Sequence, residues 1–493
     1  MKSGRSIALY LPVNLATLLV SFGGLAILTR ILEPMAYGRY AVALVTMHFV
    51  HMSLFTWVEA AVARFQARAE RDGDEASFLR TLYTTAAVVG VLGAGGGALV
   101  VLALPMEAEL RNVLAVAVAT TAFQFILNLS FEAHKAAHRI GRYSAVYAGH
   151  QTLSFLLGIL LVMATPLREM GMFVGIMAGA VVVGALDLPF MLARARGGRV
   201  EAARLRGYFL YGAPISVSLV LAYALNSADL YLITAWLGEA AAGTYSAGYN
   251  LANRGMEVLF IWVGMAVTPI AVTAFERDGE AASVPVMRDL AGVVFLLTVP
   301  AAAGLGLVAE PLGFVLGEGV REGAVRIIPW IAVSGLLNGY LAYYVHRAFM
   351  LSGRTGVYAA ILAVPVVANI ALNFWLMPLY GLGGAVAATV AAYALGVTLA
   401  SVAARRYYPL PFAGKALAQT GLATGVMAAA VTALPPTVDA LPDVVEILVK
   451  AGVGGTAYIA ACLALDAART RTFIVALWRK RGAADTAVLE AAE

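Results

Sequence analysis

Long apolar runs separated by short polar segments make up most of this chain. A window of about 19 residues finds about fourteen runs, and about 20 helical residues span the hydrocarbon of a bilayer. They lie at 7–29, 40–62, 80–104, 112–133, 144–165, 171–193, 209–236, 243–272, 289–309, 327–350, 356–377, 383–403, 415–434 and 448–466. The runs lack the alternation of barrel strands. The pattern predicts an all-α polytopic membrane protein with about fourteen transmembrane helices, or twelve or thirteen if the C-terminal pair is miscounted.

Composition supports this class. Hydrophobic residues make up 61% of the 493 positions, charged residues make up 13%, and the mean hydropathy is +0.82. Soluble domains are about half apolar and about a quarter charged, so this chain needs lipid around it. Its single cysteine, Cys462, excludes an internal disulfide and is interpreted as a packed thiol.

The distribution of positive charge predicts the orientation. With a cytoplasmic N-terminus, the inner segments carry about 26 Lys and Arg residues and the outer loops about seven. The densest inner segments are 64–80, 194–206 and the tail after Asp466. This asymmetry predicts that both termini lie in the cytoplasm.

The loops exclude several classes of function. None is long enough for a soluble catalytic domain, and no G-x-x-x-x-G-K-[ST] loop binds a nucleotide. We therefore expect a membrane transporter rather than an enzyme, with no catalytic residues, no cofactor, no metal and no nucleic-acid partner.

Two short repeats indicate a duplicated architecture. "LEPMAYGRY" (Leu32 to Tyr40) matches "LGEAAAGTY" (Leu237 to Tyr245) at an offset of about 205 residues. "AHKAAHRIGR" (Ala133 to Arg142) matches "VHRAFMLSGR" (Val345 to Arg354) at an offset of about 212. These matches predict two six-helix lobes related by a pseudo-two-fold axis, a plan that serves alternating access. The predicted boundaries are 1–200, 201–406, an appended helix pair at 407–466 and a cytoplasmic tail at 467–493.

Two segments resemble a known family. "TRILEPMAYGRYAVALV" with "EAAVARF", and "DLYLITAWLGEAAAGTYSAGYNLANR", are similar to the openings of the two lobes in Wzx-type polysaccharide biosynthesis flippases. These belong to the multidrug/oligosaccharidyl-lipid/polysaccharide (MOP) exporter superfamily, with the multidrug antiporters (MATE) and the lipid II flippase MurJ.

The resemblance implies a function. Such flippases move a polyprenyl-diphosphate-linked oligosaccharide across the bacterial inner membrane for O-antigen, capsule or exopolysaccharide synthesis. Membrane lipid, a coupling H⁺ or Na⁺, a polysaccharide polymerase and a chain-length regulator are the implied partners. The sequence identifies neither the sugar, the coupling ion nor the oligomeric state.

One predicted span carries a cation and an anion. Asn250, Arg254 and Glu257 share a helical face, and Arg254 lies about 16 Å into its span. A charge at that depth is costly unless it is paired or hydrated. Arg254 is the candidate for the substrate diphosphate, with Glu257 orienting it and Asn250 contacting sugar. The structural alternative is an Arg–Glu pair that joins helices.

Polar residues in two other spans complete the candidate site. His48, His51 and Asn226 are candidates for sugar contact or for the cavity wall, and Asp229 and Glu59 for ion coupling. Packed histidines, a metal-binding histidine pair and a helix–helix hydrogen bond at Asn226 and Asp229 are the alternatives.

Some polar residues in spans are interpreted as structural. Glu132 is expected to pair with Lys135, and Asn369 and Asn373 are expected to hold helices together.

Competing functions stay open within the same fold class. A lipid II flippase is the nearest, although helices 1, 2 and 8 lack a dense set of arginines. A cation-coupled multidrug antiporter usually has twelve spans. A polymerase or ligase usually carries a large periplasmic loop, which is absent from this sequence.

Overall fold

The computed structural model describes the backbone of residues 2–472 and the side chains of residues 9–264, 270–277 and 279–472. This part of the chain is helical and contains no β-strand. Its long helices are α1 Leu9–Ile31, α2 Pro34–Leu54, α3 Thr56–Arg71, α4 Glu75–Ala103, α5 Ala108–Ala136, α6 Ile140–Ala164, α7 Met170–Arg194, α8 Ala202–Leu237, α9 Glu239–Leu307, α10 Glu318–Leu351, α11 Thr355–Tyr380, α12 Leu382–Ala404, α13 Gly414–Thr432 and α14 Asp443–Leu465.

A helix occupies each of the fourteen predicted positions, and the all-α membrane fold is confirmed. Eleven helices in the described part are long and apolar enough to cross a membrane, or up to twelve if α2 and α3 form one bent span. The count of fourteen spans is not confirmed. Helix α13, which is rich in Ala, Gly and Thr, is not among the eleven. The predicted span 243–272 lies inside α9 and includes residues 265–269, whose side chains are not described.

Three helices are broken along their length. Helices α2 and α3 meet at Phe55 with a bend of 49°. Helix α8 is interrupted at Ala228, between Ser227 and Asp229. Helix α9 turns at Gly279, whose φ of 79° lies in the region that only glycine enters at little cost.

The outward surfaces of many helices are apolar. Leu92, Leu186 and Val91 are 71%, 76% and 69% exposed. Lipid tails cover such surfaces at no hydrophobic cost, so helix association depends on close packing and interhelical hydrogen bonds.

The chain forms two compact units. The first unit comprises Met1–Ala247, Val315–Arg321 and Ile370–Ala385. One core within it brings α3, α4 and α5 together around Phe55, Phe78 and Phe125, all buried. Phe55 and Phe125 stack with their ring centroids 4.0 Å apart, an arrangement worth about 0.5–1.5 kcal/mol beyond its buried area.

The second unit comprises Gly248–Phe314, Glu322–Asn369 and Val386–Glu493. Helices α13 and α14 pack together in it around Ala423 and Cys462. Cys462 is a buried free thiol, as predicted.

Two further structural predictions are confirmed. Glu132 forms an ion pair with Lys135 one turn along α5. Asn369 Nδ2 of α11 donates a hydrogen bond to Thr389 Oγ1 of α12 at 3.5 Å, which is interhelical contact of the predicted kind. The tail beyond residue 472 lies outside the described residues.

Candidate functional site

The bend between α2 and α3 places His51 against Glu59. His51 Nε2 lies 3.1 Å from Oε1 and 3.3 Å from Oε2 of Glu59, and the two side chains are 19% and 16% exposed. Eight residues of straight helix rise about 12 Å, so the bend at Phe55 is what lets the two groups meet. Two residues predicted separately, one for sugar contact and one for ion coupling, thus form one polar pair.

Aromatic side chains lie beside this pair, on the contact between α2 and α8. The ring of exposed His48 lies 5.7 Å from that of Tyr223, which makes an edge contact with Phe49 at 5.0 Å. His48 Nδ1 lies 2.8 Å from its own Leu44 carbonyl oxygen. The hydroxyls of Thr46 and Tyr231 are 2.8 Å apart. The first unit therefore presents rings and hydroxyls together, the combination that suits a sugar face.

Asp229 is buried where α8 is interrupted. Its side chain is 2% exposed, and the Tyr245 hydroxyl donates a hydrogen bond to Asp229 Oδ2. Asn226, three residues earlier, donates from Nδ2 to its own Ala222 carbonyl oxygen at 2.8 Å. Asp229 thus joins α8 to the beginning of α9, the kind of interhelical hydrogen bond that was its structural alternative.

Arg254 and Glu257 lie in the second unit, on α9. Arg254 Nη1 is 3.1 Å from Glu257 Oε2, and the side chains are 48% and 40% exposed. Asn250, four residues before Arg254, is partly buried. The pair lies within one helix and is open to its surroundings, so it does not join two helices through its own contact.

A second group of charges was not predicted. We call Arg39, Glu109, Glu169 and Glu239 the Arg39 cluster. Arg39 Nε lies 2.5 Å from Glu169 Oε1, while Nη1 lies 2.7 Å from Glu109 Oε2 and 2.9 Å from Glu239 Oε2. The four residues come from the N-terminal ends of α2, α5, α7 and α9 or from the residue just before them. These ends all lie at the predicted outer face.

Two glycines allow α2 and α9 to touch beside this cluster. A Cβ on Gly38 would lie 1.8 Å from the Glu239 carbonyl oxygen, and one on Gly243 would lie 2.3 Å from that of Pro34. Gly38 and Gly243 occupy equivalent positions of the first repeat, as do Pro34 and Glu239. The contact is therefore reciprocal, which is the signature of a two-fold relation.

The family model described as "Polysaccharide biosynthesis protein" matches residues 3–275 of this chain. The chain belongs to this family. The resemblance noted in the sequence is thereby confirmed, and the two segments that carried it lie inside the matched range. A search of curated protein sequences found no match.

Solved structures share the fold of this polysaccharide biosynthesis family member. "Lipid II flippase MurJ, inward closed conformation" matches with a TM-score of 0.73 at 12% identity, over 95% of this chain and 100% of that one. An inward-facing multidrug resistance MATE transporter of the MOP superfamily matches with a TM-score of 0.65 at 12% identity, over 79% and 95%. A MOP superfamily transporter from Pyrococcus furiosus gives a TM-score of 0.51 at 12% identity, over 82% and 95%. The fold is that of the MOP superfamily, as predicted.

The family-matched range contains every candidate residue and the whole Arg39 cluster. The structure pairs His51 with Glu59 and Arg254 with Glu257, and it gives Asp229 a partner in Tyr245. The roles assigned to these residues in the family member remain predictions.

A buried group at the predicted cytoplasmic side was also missed. Asp187 Oδ2 lies 2.8 Å from His134 Nε2, and Oδ1 accepts a hydrogen bond from Arg142 Nε at 2.7 Å. The Arg142 guanidinium stacks 3.8 Å from the Phe190 ring centroid. His134 and Arg142 belong to the second repeat, so the repeat itself was the available signal. The group fixes the turn between α5 and α6 against α7.

The described residues contain no group of three His, Cys, Asp or Glu side chains that can hold a metal ion. What they offer is recognition chemistry: an exposed guanidinium, amides, imidazoles, aromatic rings and carboxylates.

Proposed function

We propose that this protein is a flippase that moves a polyprenyl-diphosphate-linked oligosaccharide across the bacterial inner membrane by alternating access, for polysaccharide biosynthesis. The observation that carries the proposal is the family match over residues 3–275. The fold, which this chain shares with a lipid II flippase over 95% of its length, is compatible with such a cargo. No bond is made or broken in this transfer.

Arg254 is the proposed contact for the diphosphate. A guanidinium presents five N–H donors in a planar fork that matches phosphate oxygens. Glu257 Oε2 lies 3.1 Å from Arg254 Nη1, and almost half of the Arg254 side chain is exposed. An accessible charge pair on a membrane helix is much cheaper in a water-filled cavity than in hydrocarbon, which favours a cavity wall.

Sugar contact is assigned to Asn250, Asn226, His48 and His51. Their amide and imidazole groups donate and accept hydrogen bonds, as sugar hydroxyls require. Tyr223 and Phe49 beside His48 add ring surface in the first unit. Asp229 and Glu59 are the proposed sites for a coupling ion. The proposed site at Glu59 has an imidazole beside its carboxylate, because His51 Nε2 lies 3.1 Å from Glu59 Oε1.

We propose that both termini lie in the cytoplasm, as the distribution of Lys and Arg predicts. A polysaccharide polymerase and a chain-length regulator are the proposed partners. Lipid II is the second candidate cargo, favoured by the extent of the alignment with MurJ. Both cargoes present a polyprenyl diphosphate, so they differ in the sugar and peptide parts.

The test is leaflet transfer in vesicles that contain the purified protein. A lipid-diphosphate oligosaccharide and lipid II serve as alternative substrates. We expect Arg254→Ala to reduce transfer by about 30-fold or more, since losing a charge-assisted contact costs about 2 kcal/mol or more. Arg254→Lys keeps the charge without the fork and should retain part of the activity.

Glu257→Gln tests the proposed orienting role, because it keeps the size of the partner and removes its charge. Normal transfer by Arg254→Ala would show that the diphosphate binds elsewhere. Transfer of lipid II alone would establish the second cargo. Failure of the unaltered protein to transfer either lipid would refute the proposal.

A further inference from the structure

The buried part of the Arg39 cluster holds more negative than positive charge. The side chains of Arg39 and Glu169 are each 4% exposed, and that of Glu239 is 10% exposed, whereas that of Glu109 is 65% exposed. Water therefore solvates Glu109, and one guanidinium serves two buried carboxylates. An uncompensated buried charge costs several kcal/mol.

The same cluster contains a hydrogen-bond acceptor that lacks a donor. Glu169 Oε1 accepts from Arg39 Nε at 2.5 Å, but Glu169 Oε2 is buried and has no hydrogen-bond partner among the described residues. Nine in ten or more buried polar groups in folded proteins have a partner. One cluster thus lacks both a compensating positive charge and a hydrogen-bond donor.

We propose that the Arg39 cluster is a proton-binding site, in which one proton held by the carboxylates of Glu169 and Glu239 keeps the N-terminal ends of α2 and α9 together. A protonated carboxyl group supplies an O–H donor and cancels one negative charge. A metal cation fits less well, because hard cations take about six or more oxygen ligands. Arg39 already contacts one oxygen of each of the three carboxylates.

Glu239 is the carboxylate expected to carry the proton. It precedes the predicted span 243–272 and shares Arg39 Nη1 with Glu109, while Glu169 alone contacts Nε. Burial raises the pKa of Glu239; Arg39 opposes this, and the negative charges of Glu107 and Glu109 add to it. The charged groups that surround it on α2, α5 and α7 or next to them are Arg39, Glu107, Glu109, Glu169, and the pair Arg168 and Glu33.

Because the pKa of Glu239 is raised, the cluster is more stable at low pH than at high pH. A glutamate in water has a pKa of about 4.3, and the assembled cluster raises the pKa of Glu239. The proton therefore stabilises the assembled cluster. This stabilisation is complete below about pH 4.3 and is lost as the pH rises through the raised pKa. Separation of α2 and α9 would expose Glu239 to water and release the proton.

This site goes beyond the proposed function. Glu239 lies inside the second predicted lobe, 201–406, and the other members of the cluster lie in the first, 1–200, so the proton would hold the two predicted lobes together at the predicted outer face. Proton uptake from the outside would close this face. The proposal therefore assigns a bound proton at the Arg39 cluster to the closing of the outer face, a step in which the substrate takes no part.

The test measures the contact directly by electron paramagnetic resonance. Cys462→Ser provides the background, and spin labels are placed at Met35→Cys on α2 and Ala240→Cys on α9, both exposed positions. The protein is studied in lipid nanodiscs without substrate, between about pH 4.5 and pH 8.5. We expect a short distance at low pH and a growing longer-distance population as the pH rises. For one proton, the ratio changes by at most about tenfold per pH unit.

Glu239→Gln should keep the short distance at every pH, because glutamine is neutral and carries N–H donors. Glu109→Gln is the matched control, since it alters an exposed contact to the same Arg39 nitrogen. It should keep a pH response, with the midpoint moved to lower pH, because the negative charge of Glu109 helps to raise the pKa of Glu239. If the distance between the two spin labels does not change with pH in the background protein, the proposal is overturned. A pH response retained in Glu239→Gln, or one reproduced by sodium ions at constant pH, would also overturn it.

Infrared difference spectra provide a second readout if Glu239→Gln does not accumulate. The background protein should show a protonated carboxyl band that disappears as the pH rises, and Glu239→Asp should shift that band. Absence of a titrating carboxyl band would refute the site. Neither readout measures transport, so failure here leaves the flippase proposal standing, and failure of lipid transfer leaves the proton site standing.

Discussion

Asp229 combines an observed packing contact with a predicted role in ion coupling. The Tyr245 hydroxyl holds one of its oxygens, and the residue sits where α8 is interrupted. A hydrogen-bonded carboxylate of this kind stabilises the contact between α8 and the start of α9. It also remains a group that can exchange a proton or bind a sodium ion, so the two roles need separate measurements.

We predict that Asp229→Asn and Tyr245→Phe affect different properties: Asp229→Asn lowers ion-driven lipid transfer, and Tyr245→Phe lowers thermal stability. Asn keeps an oxygen that accepts from Tyr245, so thermal stability in detergent should change little while ion-driven lipid transfer falls by about tenfold or more. Tyr245→Phe removes a donor from a buried carboxylate, which costs about 1–3 kcal/mol of stability. Thermal denaturation and transfer are measured on both variants. Unchanged ion-driven transfer in Asp229→Asn would remove this residue from ion coupling.

Pairs that are near in sequence could be predicted, and pairs that depend on the fold could not. Spacing alone put Arg254 and Glu257 on one helical face, and they form an ion pair there. Arg39 was counted only as an outer-loop cation. Its carboxylate partners lie about 70, 130 and 200 positions away. The available signal was an acidic residue at the beginning of each of three helices that share the predicted outer face.

At the scale of elements, apolar runs were sufficient to locate the helices but not the breaks in them. Phe55 lies in "SLFTW", which contains neither Pro nor Gly, the residues that announce a break. The bend instead accompanies tertiary packing, because Phe55 is fully buried and stacks on Phe125 of α5. Sequence reasoning therefore placed His51 and Glu59 on one span without predicting that they touch.

We predict that the contact between α2 and α9 tolerates no side chain at its glycines. Gly38→Ala and Gly243→Ala place a methyl group against backbone oxygens, which cannot move as a flexible side chain can. Each should cost about 1–3 kcal/mol and lower the thermal midpoint of the purified protein. Gly184→Ala on α7 is the control, because its added Cβ meets nothing within 4 Å. Equal stability of all three variants would contradict the close approach.

At the scale of the whole molecule, one fold serves proteins with little sequence in common. This chain and MurJ share it at 12% identity, so the fold alone does not reveal the cargo. The hydrophobic pattern was enough to predict the all-α membrane fold, and the resemblance of two segments was what pointed to the superfamily. The division into lobes at about residue 200 stays a prediction, as does the number of spans, since length and hydropathy do not separate a helix within the membrane from one at its surface.

We predict the orientation of the chain from its charge asymmetry. In the Cys462→Ser background, a cysteine at Met35 should react with an impermeant maleimide from outside intact cells. A cysteine at Asp72, which follows α3 and is exposed, should react only after the membrane is permeabilised. The reverse pattern would invert the topology and would move the Arg39 cluster to the cytoplasmic face.

The reciprocal contact of Gly38 and Gly243 has a consequence for symmetry. Two equivalent positions that meet across a two-fold relation form the kind of interface that two identical subunits share. Arg39 breaks this symmetry within one chain, because its repeat counterpart is Thr244. Only one side of the contact therefore carries a guanidinium, and the carboxylates of the cluster gather around that side.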